Sequence, residues 1–568
     1  METARIMPLH ERPSFAELFT PKLVTVFREG YGLRDLRADA VAGLTVAIVA
    51  LPLSMAIAIA SGTTPDRGLY TAIVGGFLVS LLGGSRFQIG GPAGAFIVLV
   101  AATVAQVGID GLILATMISG LILMAVGFLR LGTYVKFIPY PVRVGFTAAI
   151  AVVILASQVK DLLGLTVPGG EPGELLPKLV ALAGAIGSVN AAAVGIAVAA
   201  VALIVGLKRW LPRVPGMLVA VAGCSAAAAL LGLPVETIGT RFGGIPQTLP
   251  LPALPEITLE KVQQVLPHAL SFALLGAIES LLSAVVADGM TGRRHRSNCE
   301  LVAQGIANVG SALFGGICVT GTIARTATNV RTGARGPVAG MLHALFLLAF
   351  MLVAAPLAAY IPLAALAAVL AVVAWNMAEK HEFAILLRAS RGDALVLLAT
   401  FLLTVFQDLT VGIVVGFSLG ALLFIHRMAQ TTGIDATAAF VTEDQADDAG
   451  AAREAYDVAL ATDPRVVVYR ITGAFFFGAA STVGTVLDRI ADSHRAFVID
   501  FSAVPFVDST AADTIAASAR KAQRHGVAVF IAAASPGVQD TLVTHGVKAP
   551  LVIFRRTVAE AVAEARRA

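Results

Sequence analysis

Two charged side chains lie in apolar surroundings, where a charge is costly: one inside a long apolar run and one at the start of a short segment. Glu279 falls within Leu270–Ala287, in which the other polar residues are serines, and Arg325 follows Gly321 and Thr322 at the start of a short apolar segment. A charge near the middle of a bilayer is a functional candidate by default. We predict that Arg325 adds positive potential to an anion site and that Glu279 takes up and releases a proton.

Each of these side chains also has a structural interpretation. Arg325 could satisfy main-chain carbonyls at helix ends, and Glu279 could be a neutral carboxyl or one paired with Arg325. Arg143 is expected near the cytoplasmic face, where its long side chain can reach water. Three aspartates at the ends of apolar runs are expected at the membrane interface: Asp288, Asp393 and Asp408.

Two glycine-containing breaks precede short apolar segments. The first is Gly90-Gly91-Pro92 and the second is Gly321-Thr322. Glycine permits close backbone approach, and proline suits the first turn of a helix. A helix that starts inside the membrane presents free N–H groups and the positive end of its dipole, so two such ends facing each other form an anion site. The alternative is glycine-mediated helix packing.

The composition indicates what must hold these residues. The chain has 568 residues, of which 57% are hydrophobic and only 14% are charged. Soluble proteins carry about 25% charged residues. Uncharged runs such as Leu44–Ala60, Leu112–Leu129 and Met341–Ala355 recur along the chain. This pattern predicts a polytopic membrane protein and excludes a soluble enzyme, a secreted disulfide scaffold and a nucleic-acid binder.

Fourteen apolar segments are predicted as membrane spans. They begin near residues 40, 68, 93, 110, 138, 192, 214, 264, 300, 323, 338, 361, 392 and 410. With a cytoplasmic N-terminus, the inside loops collect 15 Lys and Arg residues and the outside loops collect 5. This bias follows the positive-inside rule, so we expect both termini in the cytoplasm.

The two halves of this region resemble each other. Ser80-Leu81-Leu82-Gly83-Gly84 recurs as Ala312-Leu313-Phe314-Gly315-Gly316, and a short helix is predicted after each copy. Because seven spans is an odd number, the second half starts on the opposite side of the membrane. The sequence therefore predicts a 7+7 inverted repeat, which is typical of secondary transporters.

Motifs for catalysis and for cofactors are missing from the sequence. There is no Gly-x-x-x-x-Gly-Lys-Ser/Thr loop for ATP, and the nine histidines show no metal-ligand spacing. His268 and His343 are single residues in apolar runs and are interpreted as structural. The three cysteines are interpreted as packing residues. We expect no enzymatic activity, no cofactor and no metal.

The last 137 residues have ordinary polarity, with 29 of the chain's 78 charged residues. After an acidic linker around Glu443–Asp448, short β-like runs alternate with helical stretches, which predicts a small α/β domain. The β-like runs are Arg465–Ile471, Ala496–Phe501, Val527–Ala533 and Leu551–Phe554, and the helical stretches are Ser481–Ala491, Ala511–Arg524 and Thr557–Arg566. Asp508-Ser509-Thr510 is predicted to cap a helix.

The tail resembles a STAS domain, the fold shared with anti-sigma-factor antagonists. Asp508-Ser509-Thr510 is similar to its Asp-Ser-Ser/Thr-Gly loop, with Ala511 in place of the glycine. The resemblance implies that Ser509 is a possible regulatory phosphorylation site.

The membrane part resembles the SulP family of anion transporters, solute carrier family 26 in animals, from Leu33 onward. The resemblance rests on Ala50-Leu51-Pro52-Leu53-Ser54-Met55-Ala56, Gly68-Leu69-Tyr70, Gly83-Gly84-Ser85-Arg86, Gly91-Pro92, Phe137-Ile138-Pro139, Ala277-Ile278-Glu279-Ser280-Leu281-Leu282, Asp288-Gly289-Met290-Thr291, Asn298–Glu300, Gln304-Gly305-Ile306-Ala307-Asn308 and Ile323-Ala324-Arg325-Thr326. The first motif has Leu53-Ser54 where Gln-Gly is more common in the family.

The resemblance implies a core domain that moves against a gate domain. It also implies a substrate between the starts of spans 3 and 10, near Ala93, Gly94, Ala324 and Arg325, with Leu53, Ser54 and Ile57 as a wall. With the glycine breaks, the predicted substrate site also includes Gly91, Gly321 and Thr322. Glu279 stands where prokaryotic members carry an acidic residue. A homodimer with cytoplasmic STAS domains, each with a possible protein partner, is implied as well.

From these features we predict a secondary transporter of a bacterial inner membrane that imports a small anion with protons by alternating access. The sequence around Glu279 most resembles that of family members linked to C4-dicarboxylates. Sulfate and bicarbonate are the other candidate substrates. The alternatives are a sodium-coupled bicarbonate carrier, an uncoupled anion exchanger, a nucleobase carrier, or a membrane sensor or scaffold that signals through the STAS domain. The predicted boundaries are a cytoplasmic segment 1–38, a transporter domain 39–431, a linker 432–455 and a STAS domain 456–568.

Overall fold

The computed structural model describes residues 14–135, 139–168, 172, 175–211, 214–407, 409–430, 433–436, 466–475 and 496–567. The chain forms two compact units, Met1–Phe417 and Ser418–Ala568. The division falls inside one helix, and the predicted domain boundaries stay a prediction.

Unit 1 is built from helices and one two-stranded sheet. In chain order the elements are α1 Phe15–Phe19, α2 Lys22–Arg28, α3 Leu33–Ala60, α4 Pro65–Tyr70, α5 Gly76–Leu82, β1 Gly90–Gly91, α6 Ile97–Phe128, α7 Gly132–Val135, α8 Tyr140–Leu163, α9 Leu175–Gly184, α10 Ala191–Trp210, α11 Gly216–Leu230, α12 Ile238–Phe242, α13 Leu259–Thr291, α14 Ser297–Leu313, β2 Thr320–Gly321, α15 Ile323–Arg331, α16 Val338–Ala358, α17 Leu363–Met377, α18 Lys380–Ala389, α19 Arg391–Phe406 and α20 Leu409–Gln430.

The predicted spans correspond to these helices. Each of the fourteen predicted starts lies within seven residues of the start of a helical segment. The starts near 93 and 110 correspond to the two parts of α6 and the turn before it, because Gly108 divides this helix with φ 72° and ψ −175°. Glycine adopts this conformation without the steric penalty that other residues meet. A single apolar run therefore forms a short segment that starts at the first break and a longer one after it.

Among the described residues, seven helical segments are long and apolar enough to cross a membrane by length and composition: Leu33–Ala60, Gly94–Phe128, Tyr140–Leu163, Ala191–Trp210, Leu259–Thr291, Val338–Ala358 and Leu363–Arg388. Of the helices at the other predicted spans, α20 has 22 residues, whereas α11 has 15 and α15 has 9. A span as short as α15 needs partners that satisfy its ends inside the protein.

The helices of unit 1 pack in two groups. Helices α3, α5, α6, α13, α14, α15 and α16 pack together and form the core group, while α8, α10, α11, α17, α18 and α19 pack together and form the gate group. Helix α3 also touches α17, and α6 touches α8, so the two groups share an interface.

Two buried carboxylates join the halves of the core group. Asp39 on α3 accepts hydrogen bonds from the N–H groups of Arg335 and Gly336, at 2.5 and 3.2 Å, and from the Tyr31 hydroxyl at 2.7 Å. Glu300 on α14 accepts the Ser85 N–H at 3.0 Å. Each carboxylate thus holds a main-chain loop of the other half, and both are fully buried.

We expect Asp39→Ala to destabilise the protein, because it leaves two N–H groups without an acceptor. An unsatisfied buried donor costs about 1–3 kcal/mol. Asp35→Ala is the control, since Asp35 lies on the same helix but bonds the exposed Gly32 N–H. Thermal unfolding of the detergent-purified protein measures the effect. Equal melting temperatures for the two variants would contradict the role given to Asp39.

Unit 2 contains one five-stranded sheet. Its further elements are β3 Gly433–Ala436, β4 Val466–Thr472, β5 Ala496–Ala503, α21 Ser509–Arg524, β6 Ala528–Ala532, α22 Pro536–Thr544, β7 Ile553–Arg555 and α23 Val558–Ala565. The strand order is β3-β4-β5-β6-β7, with β3 antiparallel to β4 and the other neighbours parallel. The four predicted strands and two of the predicted helices are confirmed, whereas the predicted helix Ser481–Ala491 lies outside the described residues.

Two elements of unit 2 differ from the prediction. Strand β3 lies inside the segment predicted as a linker, yet it forms the antiparallel edge of the sheet. Helix α22 was not predicted, because Val538 and Leu542 are its only two buried residues and the apolar spacing is too sparse to indicate a helix.

Candidate anion site

The two glycine-containing breaks meet inside unit 1. Gly90 pairs with Gly321 and Gly91 with Thr320, so β1 and β2 form an antiparallel pair. β1 leads through Pro92 into a 3-10 turn, Gly94–Phe96, and then into α6, whereas β2 leads directly into α15. Because antiparallel strands run in opposite directions, the two helices leave the pair in opposite directions and begin on either side of it.

Two glycines of the strand pair leave room for neighbouring polar side chains. A Cβ atom on Gly321 would lie 1.7 Å from Nε2 of Gln88, and one on Gly91 would lie 2.2 Å from Nη1 of Arg325. Thr322 closes the pair by donating its N–H and its hydroxyl to the carbonyl oxygen of Ile89, at 3.0 and 3.2 Å. The breaks predicted from the sequence are therefore backbone contacts between the two halves of unit 1.

The Arg325 side chain is held beside this strand pair. Its Nη2 donates to the Ser54 hydroxyl oxygen at 3.1 Å and to the Pro92 carbonyl oxygen at 3.4 Å, and the residue is 2% exposed. Its Nε and Nη1 atoms are buried and have no hydrogen-bond partner among the described residues. No carboxylate of the described chain lies within ion-pair distance of it. The guanidinium therefore keeps positive charge and N–H groups for a further acceptor.

The other predicted substrate-site residues surround Arg325 and the two helix starts. Leu53 and Ile57 belong to the apolar core, and Ala93 is buried. The position of Gly94 faces Ile154 of α8 and Met377 of α17, which are 3.5 and 3.7 Å from its ideal Cβ atom. Ala324 is exposed whereas Arg325 and Thr326 are buried, so one face of the first turn of α15 is not covered by protein. The site thus lies where the core group meets the gate group and is open on one side.

Glu279 occupies a different position from the one that an Arg325 pair would require. It is 7% exposed on α13, and within the described chain its side chain makes neither a hydrogen bond nor an ion pair with Arg325. The charged groups that act on it are Glu379 and Arg143, both of the gate group. Ser283, one turn further along α13, donates to the Thr326 hydroxyl oxygen at 3.0 Å. Ser283 thereby supports the start of α15.

Arg143 and Glu379 form an ion pair that sequence reasoning missed. The Nη2–Oε2 distance is 3.7 Å, and the guanidinium stacks on the Tyr140 ring at 4.8 Å. Glu379 has φ 38°, a left-handed conformation that is uncommon for residues other than glycine. Arg143 lies in the first turn of α8 and Glu379 directly precedes α18, far away in the sequence, so no local spacing indicates the pair.

Three further buried polar side chains in the core group were also missed as a set. Gln88, Asn329 and His343 each carry at least one polar atom without a hydrogen-bond partner in the described part of unit 1. The available sequence indication was Gln88, a polar residue two positions before the first glycine break. Within the described ranges, no group of three His, Cys, Asp or Glu residues could hold a metal ion.

In unit 2, Asp508 rather than Ser509 caps a helix. The Asp508 carboxylate accepts the Ala511 N–H at 2.8 Å, and Ser509 is the exposed first residue of α21. The regulatory role of Ser509 stays a prediction.

Comparison with known proteins identifies the family. The profile of the sulfate permease family matches residues 36–400, and that of the STAS domain matches residues 457–561. The putative sulfate transporter YvdB of Bacillus subtilis is 40% identical over 508 residues, which is 89% of this chain and 92% of that protein. The bicarbonate transporter BicA of Synechocystis sp. is 33% identical over 517 residues, 88% of this chain and 89% of that protein.

Solved structures show the same fold. Murine Solute Carrier 26 family member A9, an anion transporter in the inward-facing state, matches with a TM-score of 0.84 at 19% identity, over 100% of this chain and 97% of that one. The transmembrane domain of a cyanobacterial BicA matches with a TM-score of 0.62 at 33% identity, over 67% of this chain and 98% of that one.

The relatives are transporters and not enzymes, which agrees with the predicted class. The predicted polytopic fold with a C-terminal STAS domain is confirmed. The chain therefore belongs to the sulfate permease family of anion transporters and carries a STAS domain.

Proposed function

We propose that this protein moves a small oxyanion together with protons across a bacterial inner membrane by alternating access. The observation that carries the proposal is the Arg325 guanidinium, which is buried between two helix starts, has no carboxylate partner among the described residues and keeps unused N–H groups. Such a group attracts an anion that brings its own acceptors. The substrate roles of Leu53, Ser54, Ile57, Gly91, Ala93, Gly94, Gly321, Thr322 and Ala324 belong to the same proposal.

Sulfate and bicarbonate are the first candidate substrates. They are the anions named for the relatives YvdB and BicA. Both carry several oxygen acceptors, which suits the free N–H groups of two helix starts and one guanidinium. The C4-dicarboxylate preference expected from the sequence stays a prediction and is tested beside them.

Proton coupling is assigned to Glu279. A protonated Glu279 carries no charge and does not repel Glu379, whereas an ionised Glu279 competes with Glu379 for Arg143. Glu279 is in the core group, whereas Arg143 and Glu379 are in the gate group. Protonation of Glu279 can therefore shift the equilibrium between different arrangements of the two groups. The proton that Glu279 carries also offsets the negative charge of the transported anion.

The remaining parts of the proposal follow the positive-inside bias and the family resemblance. Both termini are placed in the cytoplasm, the transporter is a homodimer, and the STAS domain binds a cytoplasmic protein partner. Sodium in place of protons is the second candidate for the coupling ion, because a sodium-coupled bicarbonate carrier is the alternative expected from the sequence and the 33% identical relative BicA is a bicarbonate transporter.

Uptake into proteoliposomes tests the proposal. The panel is sulfate, bicarbonate, succinate, fumarate and chloride, each at several pH values and with an imposed proton or sodium gradient. We expect an inward proton gradient to drive accumulation of at least one oxyanion, because each coupled proton adds its gradient to the driving force. Uptake that is stimulated by sodium and indifferent to protons would overturn the proton assignment.

A further inference from the structure

A small cavity lined by two arginines lies at the end of α3 remote from Leu33. Its volume is about 280 Å³, and Thr63, Thr64, Arg67 and Arg241 are among the residues that line it. With the predicted orientation, this end faces the outside of the cell. We call it the arginine cavity. It is separate from the strand pair that holds Arg325.

Arg67 is a fixed cation in the wall of the arginine cavity. Its Nη1 donates to the Gly315 carbonyl oxygen at 2.6 Å, and no carboxylate of the described chain lies within ion-pair distance. The adjacent Asp66 interacts with Tyr70 instead. The backbone around Arg67 has little room to shift, because a Cβ atom on Gly68 would lie 2.1 Å from the Ser54 carbonyl oxygen. Partial burial strengthens the field of such a charge.

Arg241 is the second cation, and it reaches the cavity from α12. Two carboxylates share its guanidinium, Asp161 at 3.2 Å and Glu236 at 3.8 Å. Helix α12 is itself anchored by main-chain bonds from Ile238 to Ile361 at 2.9 Å and from Gly239 to Ala359 at 2.8 Å. An anion in the cavity would therefore meet two positioned guanidinium groups and the Thr64 hydroxyl.

We propose that the arginine cavity is an outer capture site, which binds the transported oxyanion transiently before it reaches Arg325. The two sites are connected through one residue of α3. The Ser54 carbonyl packs on Gly68, beside Arg67, and the Ser54 hydroxyl accepts from Arg325. The inference rests on the proposed function in taking the transported species to be an anion. Arg67, which has no carboxylate partner among the described residues, raises the local concentration of anions and does so less at high ionic strength, whereas Arg241 adds N–H donors whose charge Asp161 and Glu236 offset.

Uptake kinetics in cells that express the protein provide the first test, with sulfate and bicarbonate as probes. We expect Arg67→Gln and Arg241→Gln to raise KM about 3- to 10-fold with the maximal rate retained, and to weaken the dependence of KM on ionic strength. Glu236→Gln should lower KM, because it frees Arg241 from one carboxylate. The control is Lys261→Gln, since Lys261 is paired with Glu256 and does not line the cavity. An unchanged KM in both arginine variants at low ionic strength would overturn the proposal.

A second test does not depend on transport. Thr64→Cys places a thiol in the cavity wall, while the three native cysteines are buried. We expect an anionic methanethiosulfonate reagent to modify this thiol at least about tenfold faster than a cationic one. The ratio should fall when Arg67→Gln and Arg241→Gln are added; a ratio that does not respond contradicts the proposal. If anionic labelling is favoured but no anion is transported, the capture site stands and the proposed function fails.

Discussion

Replacing Arg325 with alanine should reduce the affinity for the transported anion about ten- to hundredfold, since hydrogen bonds to charged groups contribute about 1.5–3 kcal/mol. The guanidinium has two nitrogen atoms without a partner in the described chain, and these are the donors that an anion would use. Arg325→Lys should fall between the wild type and the alanine variant, because lysine keeps the charge but loses the planar fork. Uptake of radiolabelled anion across a range of concentrations measures the loss.

Arg331→Ala is the matched control for this experiment. Arg331 lies in the last turn of the same helix, α15, and is exposed. The Arg331→Ala variant should take up the anion with wild-type affinity. If Arg325→Ala retains wild-type uptake while monodisperse by size-exclusion chromatography, Arg325 is a structural residue and the proposed anion site is wrong.

Replacing Glu279 with glutamine should abolish accumulation driven by a proton gradient while leaving anion exchange intact. The amide resembles the protonated carboxyl but has no proton to release. One coupled proton and a gradient of one pH unit support about tenfold accumulation, because this gradient stores about 1.4 kcal/mol. The variant should lose this factor, which proteoliposomes loaded at one pH and diluted into another report directly.

Glu260→Gln serves as the control for Glu279, because Glu260 lies in the exposed first turn of the same helix, α13. It should retain proton-driven accumulation. Persistence of that accumulation in Glu279→Gln would remove Glu279 from the coupling step. Loss of both accumulation and exchange would show instead that the glutamine variant cannot move between its two states.

The parts of the site that the sequence predicts are those in which a residue differs in type from the apolar residues around it in the sequence. Gly91 and Gly321 interrupt apolar runs, and Arg325 places a charge in one, so each is visible without knowledge of its neighbours. The span pattern was predictable for the same reason, because apolar runs of this length have few alternatives to a membrane.

The parts that could not be predicted depend on contacts between distant segments. Glu279 is influenced by Arg143 and Glu379 from helices of the other group, and nothing in its local sequence indicates them. Asp39 and Glu300 accept hydrogen bonds from main-chain N–H groups. Every residue except proline carries such a group, so the identity of a residue does not show that it is the partner. In unit 2, β3 has only four residues and follows no alternating pattern.

The contact between Asp39 and the loop at Arg335 also constrains how the protein is made. The two residues are 296 positions apart, so the ribosome incorporates Asp39 long before it incorporates Arg335. At about 5–20 residues per second this interval is about 15–60 s. During that time Asp39 lacks the N–H donors of Arg335 and Gly336. The buried hydrogen bonds of this carboxylate can form only after Gly336 has been synthesised. The order of translation therefore determines when the first half of the core group acquires its native contacts.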